Sequence, residues 1–259
     1  FFLLILLSKY SFSQILPSFH AVHHKPAEIV EDNLILHLDA SNPNSLDQSD
    51  LTTWNDLSSS NNDLSQFSGS AVYSENGGGS LVFDNDIYKR DSDLNNMSST
   101  NITISMWIKT TCDNCYLAAL SRSLGNTGYF YEFILHIPNN VNGKFRFWDF
   151  ETNNPNKFGF PHSNNNLSNT SVNDDSWKFI TFTKNNLTGK YYVNSSYDQT
   201  VTAQRNVNYG HDNFLIGKDW RDNARAFNGS IGAVYLYTKT LSLEEITQNY
   251  NATKSRYGH

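Results

Sequence analysis

"FNGSIGAVYLYTKTLSLEEITQNYNATKSRYGH", residues 227–259, is the stretch on which the reading of this chain turns. Its first part, "SIGAVYLYT", has the composition of a strand, and its second part opens a helix. Ser242 and Glu245 have the S-x-x-E spacing of a capping box, and Leu241 and Ile246 flank it as a hydrophobic staple. A helix this short is marginal alone and needs something to pack against. The expectation is a helix at the edge of a larger body, and the preceding residues say what kind of body.

Those residues carry strand signals almost throughout. In "NITISMWIKT" (101–110), Ile102, Ile104, Met106 and Ile108 form one face, and Thr103, Ser105, Trp107 and Lys109 form the other. In "NLILHLDAS" (33–41), Leu34, Leu36 and Leu38 alternate with Ile35, His37 and Asp39. "YFYEFILHI" (129–137), "GKFRFWDF" (143–150), "WKFITFTK" (177–184), "GKYYVNSS" (189–196) and "NFLIGK" (213–218) repeat the pattern. Between them, "ENGGGS" (75–80), "NNVNGK" (139–144) and "NNLTGK" (185–190) supply Gly and Asn where a turn needs positive φ. Period-two runs separated by such turns predict antiparallel sheets. No fixed-period repeat or linker interrupts them after Asp32. Residues 33–259 therefore read as one domain, an all-β antiparallel sandwich with a short C-terminal helix.

Composition agrees. Of 259 residues, 17% are charged and 14% aromatic, a balance that favours strands over helix surfaces. The net charge of −6 argues against nucleic acid as a partner, which would select a basic face. The start, "FFLLILLSKYSFSQ" (1–14), is too short an apolar run to span a bilayer, which takes about 20 residues. Ser11 and Ser13 stand at −3 and −1 of a cleavage before Gln14, so residues 1–13 read as an N-terminally truncated signal peptide. Residues 14–32, with Pro17, Pro26, His20, His23 and His24, read as an irregular linker. No later segment is long and apolar enough to cross a membrane, and the expected location is secreted or cell surface. In that setting Cys112 and Cys115 of "TTCDNCY" (110–116) read as a disulfide across a turn. Free thiols, a redox pair or half a zinc site remain as alternatives. N-x-S/T triplets such as "NIT" and "NLT" arise from composition alone in a chain so rich in Asn, Ser and Thr.

Six segments then resemble a known family: "LILHLDASNPNSL" (34–46), "TTWNDLSSSNNDL" (52–64), "GGGSLVFDNDIY" (77–88), "TISMWIK" (103–109), "WKFITFTKNNLTGKYYVN" (177–194) and, most specifically, "FLIGKDW" with "FNGSIGAVYLYTKTLSLEEI" (214–220, 227–246). Their order is similar to that of concanavalin A-like, laminin-G-like jelly-roll domains over roughly residues 33–257. The resemblance implies two antiparallel sheets, one convex and one concave. It also implies a carbohydrate-binding or adhesive module, sometimes calcium-dependent, with some glycosidases among the relatives. Fold alone does not choose among these.

The residues narrow the choice. A retaining glycosidase needs two carboxylates about 5 Å apart, and no run of alternating acids lies along a strand. The pairs Asp84/Asp86 and Asp91/Asp93 sit at loop-like strand ends, so no catalytic residue is assigned. Asp84, Asn85 and Asp86 offer oxygens of the kind calcium takes, with an Asx-rich turn facing water as the alternative. No cofactor is required by any other pattern. Trp54, Trp107 and Trp177 read as packing residues. Trp148 differs, because Phe145 and Phe147 already supply the apolar face of its strand. A hairpin pairing Ile137 with Phe145 and Leu135 with Phe147 also sets His136 beside Arg146, Ile134 beside Trp148 and Glu132 beside Phe150. That second face would combine an aromatic platform, a cation, an anion and an imidazole, the mixture a sugar requires; an amphipathic outer face or a second core is the alternative. Trp220, in the polar "GKDWRDNARAF" (217–227), reads as a second contact. The functional expectation is a non-catalytic module for a glycan or glycosylated surface. A structural or adhesive appendage that binds other proteins, and a diverged glycosidase, are the alternatives.

Overall fold

The computed structural model describes residues 28–90, 92–97, 99–123, 129–151, 154–207, 209, 213–218 and 225–259. The expected signal peptide, most of the linker and Trp220 lie outside the described residues. The rest forms two antiparallel sheets. In the first, the order is β15 (Ser196–Thr202), β14 (Thr188–Val193), β13 (Lys178–Asn185), β8 (Ile102–Thr110), β17 (Asn228–Tyr237), β6 (Ser80–Asp84) and β5 (Val72–Ser74), with β1 (Leu34–Asp39) also pairing β17. In the second it is β12 (Asn154–Phe158), β11 (Arg146–Glu151), β10 (Tyr129–Ile137), β9 (Cys115–Ser123), β16 (Asn213–Ile216), β7 (Ile87–Lys89), β4 (Leu64–Ser68), β3 (Asp50–Trp54) and β2 (Leu46–Asp47).

The inner faces meet in one core. Ile102, Ile104, Met106 and Ile108 of β8 enter it as the alternation requires, opposite Phe133, Leu135, Phe145 and Phe147 of the second sheet. Phe147 stacks on Phe182 across the gap, centroids 4.2 Å apart and planes 10° apart. One expected alternation is broken. The β1–β17 pairing slips between Leu34 and Leu36, so Leu34 joins a cluster outside the first sheet while Ile35 enters the core with Leu36 and Leu38.

The terminal helix, α1 (Leu243–Thr253), does not sit at an edge as expected; it covers the outer face of the first sheet. Both halves of the capping box form: the Glu245 amide donates to Ser242 Oγ at 3.2 Å, and the Ser242 amide donates to Glu245 Oε2 at 2.8 Å. The staple residues Leu241 and Ile246 are buried in the same outer cluster. The reason for the helix is Trp107, which alternation places outward on β8. Its indole N–H donates to Thr253 Oγ1 at 2.8 Å, and its ring stacks on Tyr257 at 4.1 Å. Residues 28–32, read above as linker, belong to this layer: the Val30 amide donates to Asn249 Oδ1, and Tyr237 Oη donates to the Val30 carbonyl.

Polar groups close one end of the core. Ile180, Phe182 and Lys184 point inward along β13, facing Phe145, Phe147 and Asp149. Lys184 Nζ meets Asp149 Oδ2 at 3.2 Å with both side chains fully buried, and Tyr209 Oη donates to the same oxygen at 2.6 Å. Lys184 also donates to the Val207 carbonyl at 2.8 Å, and the Phe160 amide donates to Asp149 Oδ1 at 2.5 Å. Burial works against both charges, lowering the Lys184 ammonium and raising the Asp149 carboxyl, and their mutual attraction opposes it. Lys184→Met should lower unfolding free energy by about 3–5 kcal/mol in urea titrations, since it strands a buried carboxylate. Ser242→Ala should cost only about 1 kcal/mol, the worth of a helix cap.

Candidate functional site

The outer face of the second sheet has no helix over it among the described residues. The β10–β11 register sets Leu135 opposite Phe147, Ile134 opposite Trp148 and His136 opposite Arg146, the pairing inferred from alternation. Because Leu135 and Phe147 fill the core, Ile134, His136, Arg146 and Trp148 turn outward. There they join a small apolar cluster of Ile87, Tyr116, Ala119, Ile134, Phe150 and Leu215, against which the half-buried Trp148 packs.

Aromatic and imidazole rings build the surface. Trp148 lies 4.3 Å from Phe150 and 4.7 Å from His162, centroid to centroid, and His162 stacks on His136 at 6.0 Å. Tyr116 meets His136 edge-on at 5.6 Å, and the Arg225 guanidinium donates to Tyr116 Oη. His162 and Asn164 are exposed at the rim, while Arg146 and His136 form the floor at 2% and 4% exposure. Arg146 Nε donates to the Asn166 carbonyl at 3.0 Å, and Nη2 lies 3.5 Å from Asn164 Oδ1. Asn166 is itself fixed, donating to the Phe147 carbonyl at 2.7 Å and accepting from Tyr191 Oη at 2.7 Å. Arg146 Nη1 and His136 Nε2 are buried without a hydrogen-bond partner among the described residues.

The electrostatics follow from burial beside two cations. His136 is held well below the ordinary histidine range, first by burial and then by Arg146, His162 and Arg225. His162 is lowered by burial, Arg146 and Arg225. Burial also lowers Arg146. Glu132, the expected anion, is 2% exposed and sits where the β9–β10 pairing shifts register between Tyr131 and Phe133. Its charge acts on the interior Tyr209 and is not among those that shift His136 or Arg146. Tyr116, His162 and Arg225 escaped the sequence reading. His162 and Arg225 lie outside strands, where no alternation assigns a face, and Tyr116 faces outward on a strand whose pairing with β10 is bulged beside it.

Elsewhere, Cys112 and Cys115 are joined in a disulfide between β8 and β9. In the turn at Asp84–Asp86, Asp86 accepts the Ser70 amide at 2.5 Å and the Asp84 amide at 2.6 Å, and Asn85 Oδ1 accepts the Lys218 ammonium at 2.7 Å. Asp86 and Asn85 thus accept N–H donors in this turn, the latter from a cation. A cavity of about 840 Å³ opens beside α1, lined by Glu31, His37, Asp39, Ser58, Thr253 and Arg256 among others. Size alone would favour it as a site. Within it Arg256 Nη1 donates to both Asp39 oxygens at 2.9 Å, while Arg256 Nη2 and His37 Nε2 are buried without a hydrogen-bond partner among the described residues.

The model of the concanavalin A-like lectin/glucanases superfamily matches residues 83–247. No curated protein matches the chain. Among solved structures, domain 4 of AbnA, a GH43 extracellular arabinanase from Geobacillus stearothermophilus in complex with arabinotriose, aligns at TM-score 0.57 and 16% identity, covering 85% of this chain and 100% of that one. The binding domain of botulinum neurotoxin DC in complex with SialylT aligns at TM-score 0.59 and 16% identity, covering 86% of this chain and 52% of that one. The same toxin's binding domain with rat synaptotagmin II aligns at TM-score 0.58 and 16% identity, again covering 86% and 52%. At these identities the likeness shows the fold alone, and the chain spans about half of each toxin domain.

His37, His136 and His162 all have lowered proton affinity when folded, so each releases protons on folding. Their stabilising contribution is complete above the unfolded value of about 6.5 and is lost as pH falls below it. Melting temperature should therefore drop between about pH 7 and pH 5, and His136→Gln should flatten that slope whatever it does to absolute stability. An unchanged slope would mean that His136 is protonated as easily in the folded chain as in the unfolded one.

Proposed function

We propose that this chain, which belongs to the concanavalin A-like lectin/glucanases superfamily, is a non-catalytic module that binds glycans outside the cell. The observation that carries the reading is the outer face of β10 and β11: a half-buried Trp148 beside His162, over a floor of Arg146 and His136. An indole offers a flat apolar surface to the C–H face of a sugar ring, and the surrounding N–H groups suit its hydroxyls. The groups are held by strands and by Asn166, so little order has to be gained on binding. An oligosaccharide in complex with a domain of similar fold, the arabinanase domain with arabinotriose, supports the class of ligand.

The reading is non-catalytic because glycoside hydrolysis takes two carboxylates flanking one bond. Around Arg146 and His136 stand imidazoles, aromatic rings and a second guanidinium. Among the described residues no helix is long and apolar enough to cross a membrane.

A glycan array probed with the full chain should show binding, followed by calorimetry on the best ligand. Trp148→Ala should weaken that binding several-fold to about tenfold, the worth of one stacking contact of about 1 kcal/mol. Its melting temperature should change far less than for a core truncation, which costs about 3–5 kcal/mol. Unaltered affinity in a folded Trp148→Ala chain would move the site away from this face.

A further inference from the structure

Arg146 is a buried charge with no counter-charge bonded to it among the described residues. Its Nε and Nη2 face two amide oxygens, those of Asn166 and Asn164, and its Nη1 has no partner among the described residues. Taking a guanidinium out of water forfeits its hydration, a loss that a carboxylate usually offsets. Among the described residues no carboxylate is bonded to it. The remaining neighbours deepen the imbalance. His136 presents a buried, unpartnered Nε2, and Arg225 brings a second guanidinium to Tyr116.

The arrangement is also built to last. Asn166 ties Arg146 to the backbone of β11 and to Tyr191 of β14, and the Tyr191 hydroxyl accepts the Phe147 amide at 2.9 Å. The guanidinium is therefore oriented from behind by the framework of both sheets. Beside it stand two exposed side chains outside the strands, His162 against the His136 ring and Asn164 with its Oδ1 3.5 Å from Nη2.

Resting on the glycan-binding reading of this face, we propose that the glycan it takes carries an anionic group, a carboxylate or a sulfate, that seats on Arg146 Nη1 with His136 beside it and the sugar ring against Trp148. The anion supplies the missing counter-charge. A hydrogen bond to a charged group is worth more than a neutral one, so a matched neutral sugar should bind about tenfold or more weakly.

The test uses the full chain and calorimetry on matched pairs that differ only at the acidic group: tri-galacturonate and its carboxyl-reduced form, sialyllactose and its methyl ester, and 6-sulfo-lactosamine and lactosamine. The proposal expects one acidic member to bind at least about tenfold more tightly than its neutral twin, and the pair concerned identifies carboxylate or sulfate as the source of the charge. Arg146→Gln should abolish that preference, the charged and neutral twins then binding alike. Because Arg146 is buried and this variant can fail to fold, the comparison of ligands on the unaltered chain stands by itself. Equal affinity for charged and neutral twins would overturn the anion proposal and leave the glycan reading intact. Failure of every glycan on the array and in calorimetry would overturn both.

Discussion

The row in which Phe147 stacks on Phe182 and Asp149 meets Lys184 is the contact on which the rest of this structure depends. It joins the two sheets through one hydrophobic and one ionic pair, both buried. It also fixes which way β11 faces, since a strand that sends Phe145, Phe147 and Asp149 inward must send Arg146 and Trp148 outward. A slip of one residue would bury Arg146 opposite Phe182 and expose Asp149. The apolar pair supplies most of the favourable energy; the ion pair supplies selectivity for register, because either partner alone is a buried unpaired charge.

The two outer faces are used differently. On the first sheet, Trp107, Phe179, Tyr235 and Tyr237 would form a large exposed aromatic surface, and α1 with Tyr257 covers it. On the second sheet the outer apolar cluster is small, bordered by His162, Arg225 and Asn164, and Trp148 keeps part of its ring accessible. The first face is closed by the chain's own C-terminal segment; among the described residues the second carries only its small cluster and the polar groups around it. On that second face the strands β10 and β11 and the contacts of Asn166 hold the Arg146 guanidinium in place.

Much of this was legible in the residues because it rests on period-two alternation and local capping. The antiparallel sheets, the Ser242–Glu245 box and the pairing of His136 with Arg146 all follow from short-range patterns. What escaped depends on contacts between distant segments. Leu34 changes face because β1 and β17 pair across a register shift, which depends on both strands. Residues 28–32 lack any strand pattern, yet Val30 is bonded to Asn249 and Tyr237. Glu132 sits beside a pairing shift between Tyr131 and Phe133, which simple alternation does not anticipate. His162 meets Trp148 from a segment outside the strands, which Asn166 bonds to β11.

The asymmetry of the two sheets is also the reason a family resemblance does not settle function here. A jelly roll offers edges, rims and two outer faces as places to bind, and only the side chains choose among them. A crystal structure of the full chain with a bound oligosaccharide tests the choice most directly. The account predicts a sugar ring against Trp148, with a ligand oxygen within hydrogen-bond distance of Arg146 Nη1. A sugar held in the cavity beside α1 or at the Asp84–Asp86 turn, with the Trp148 face bare, would contradict it.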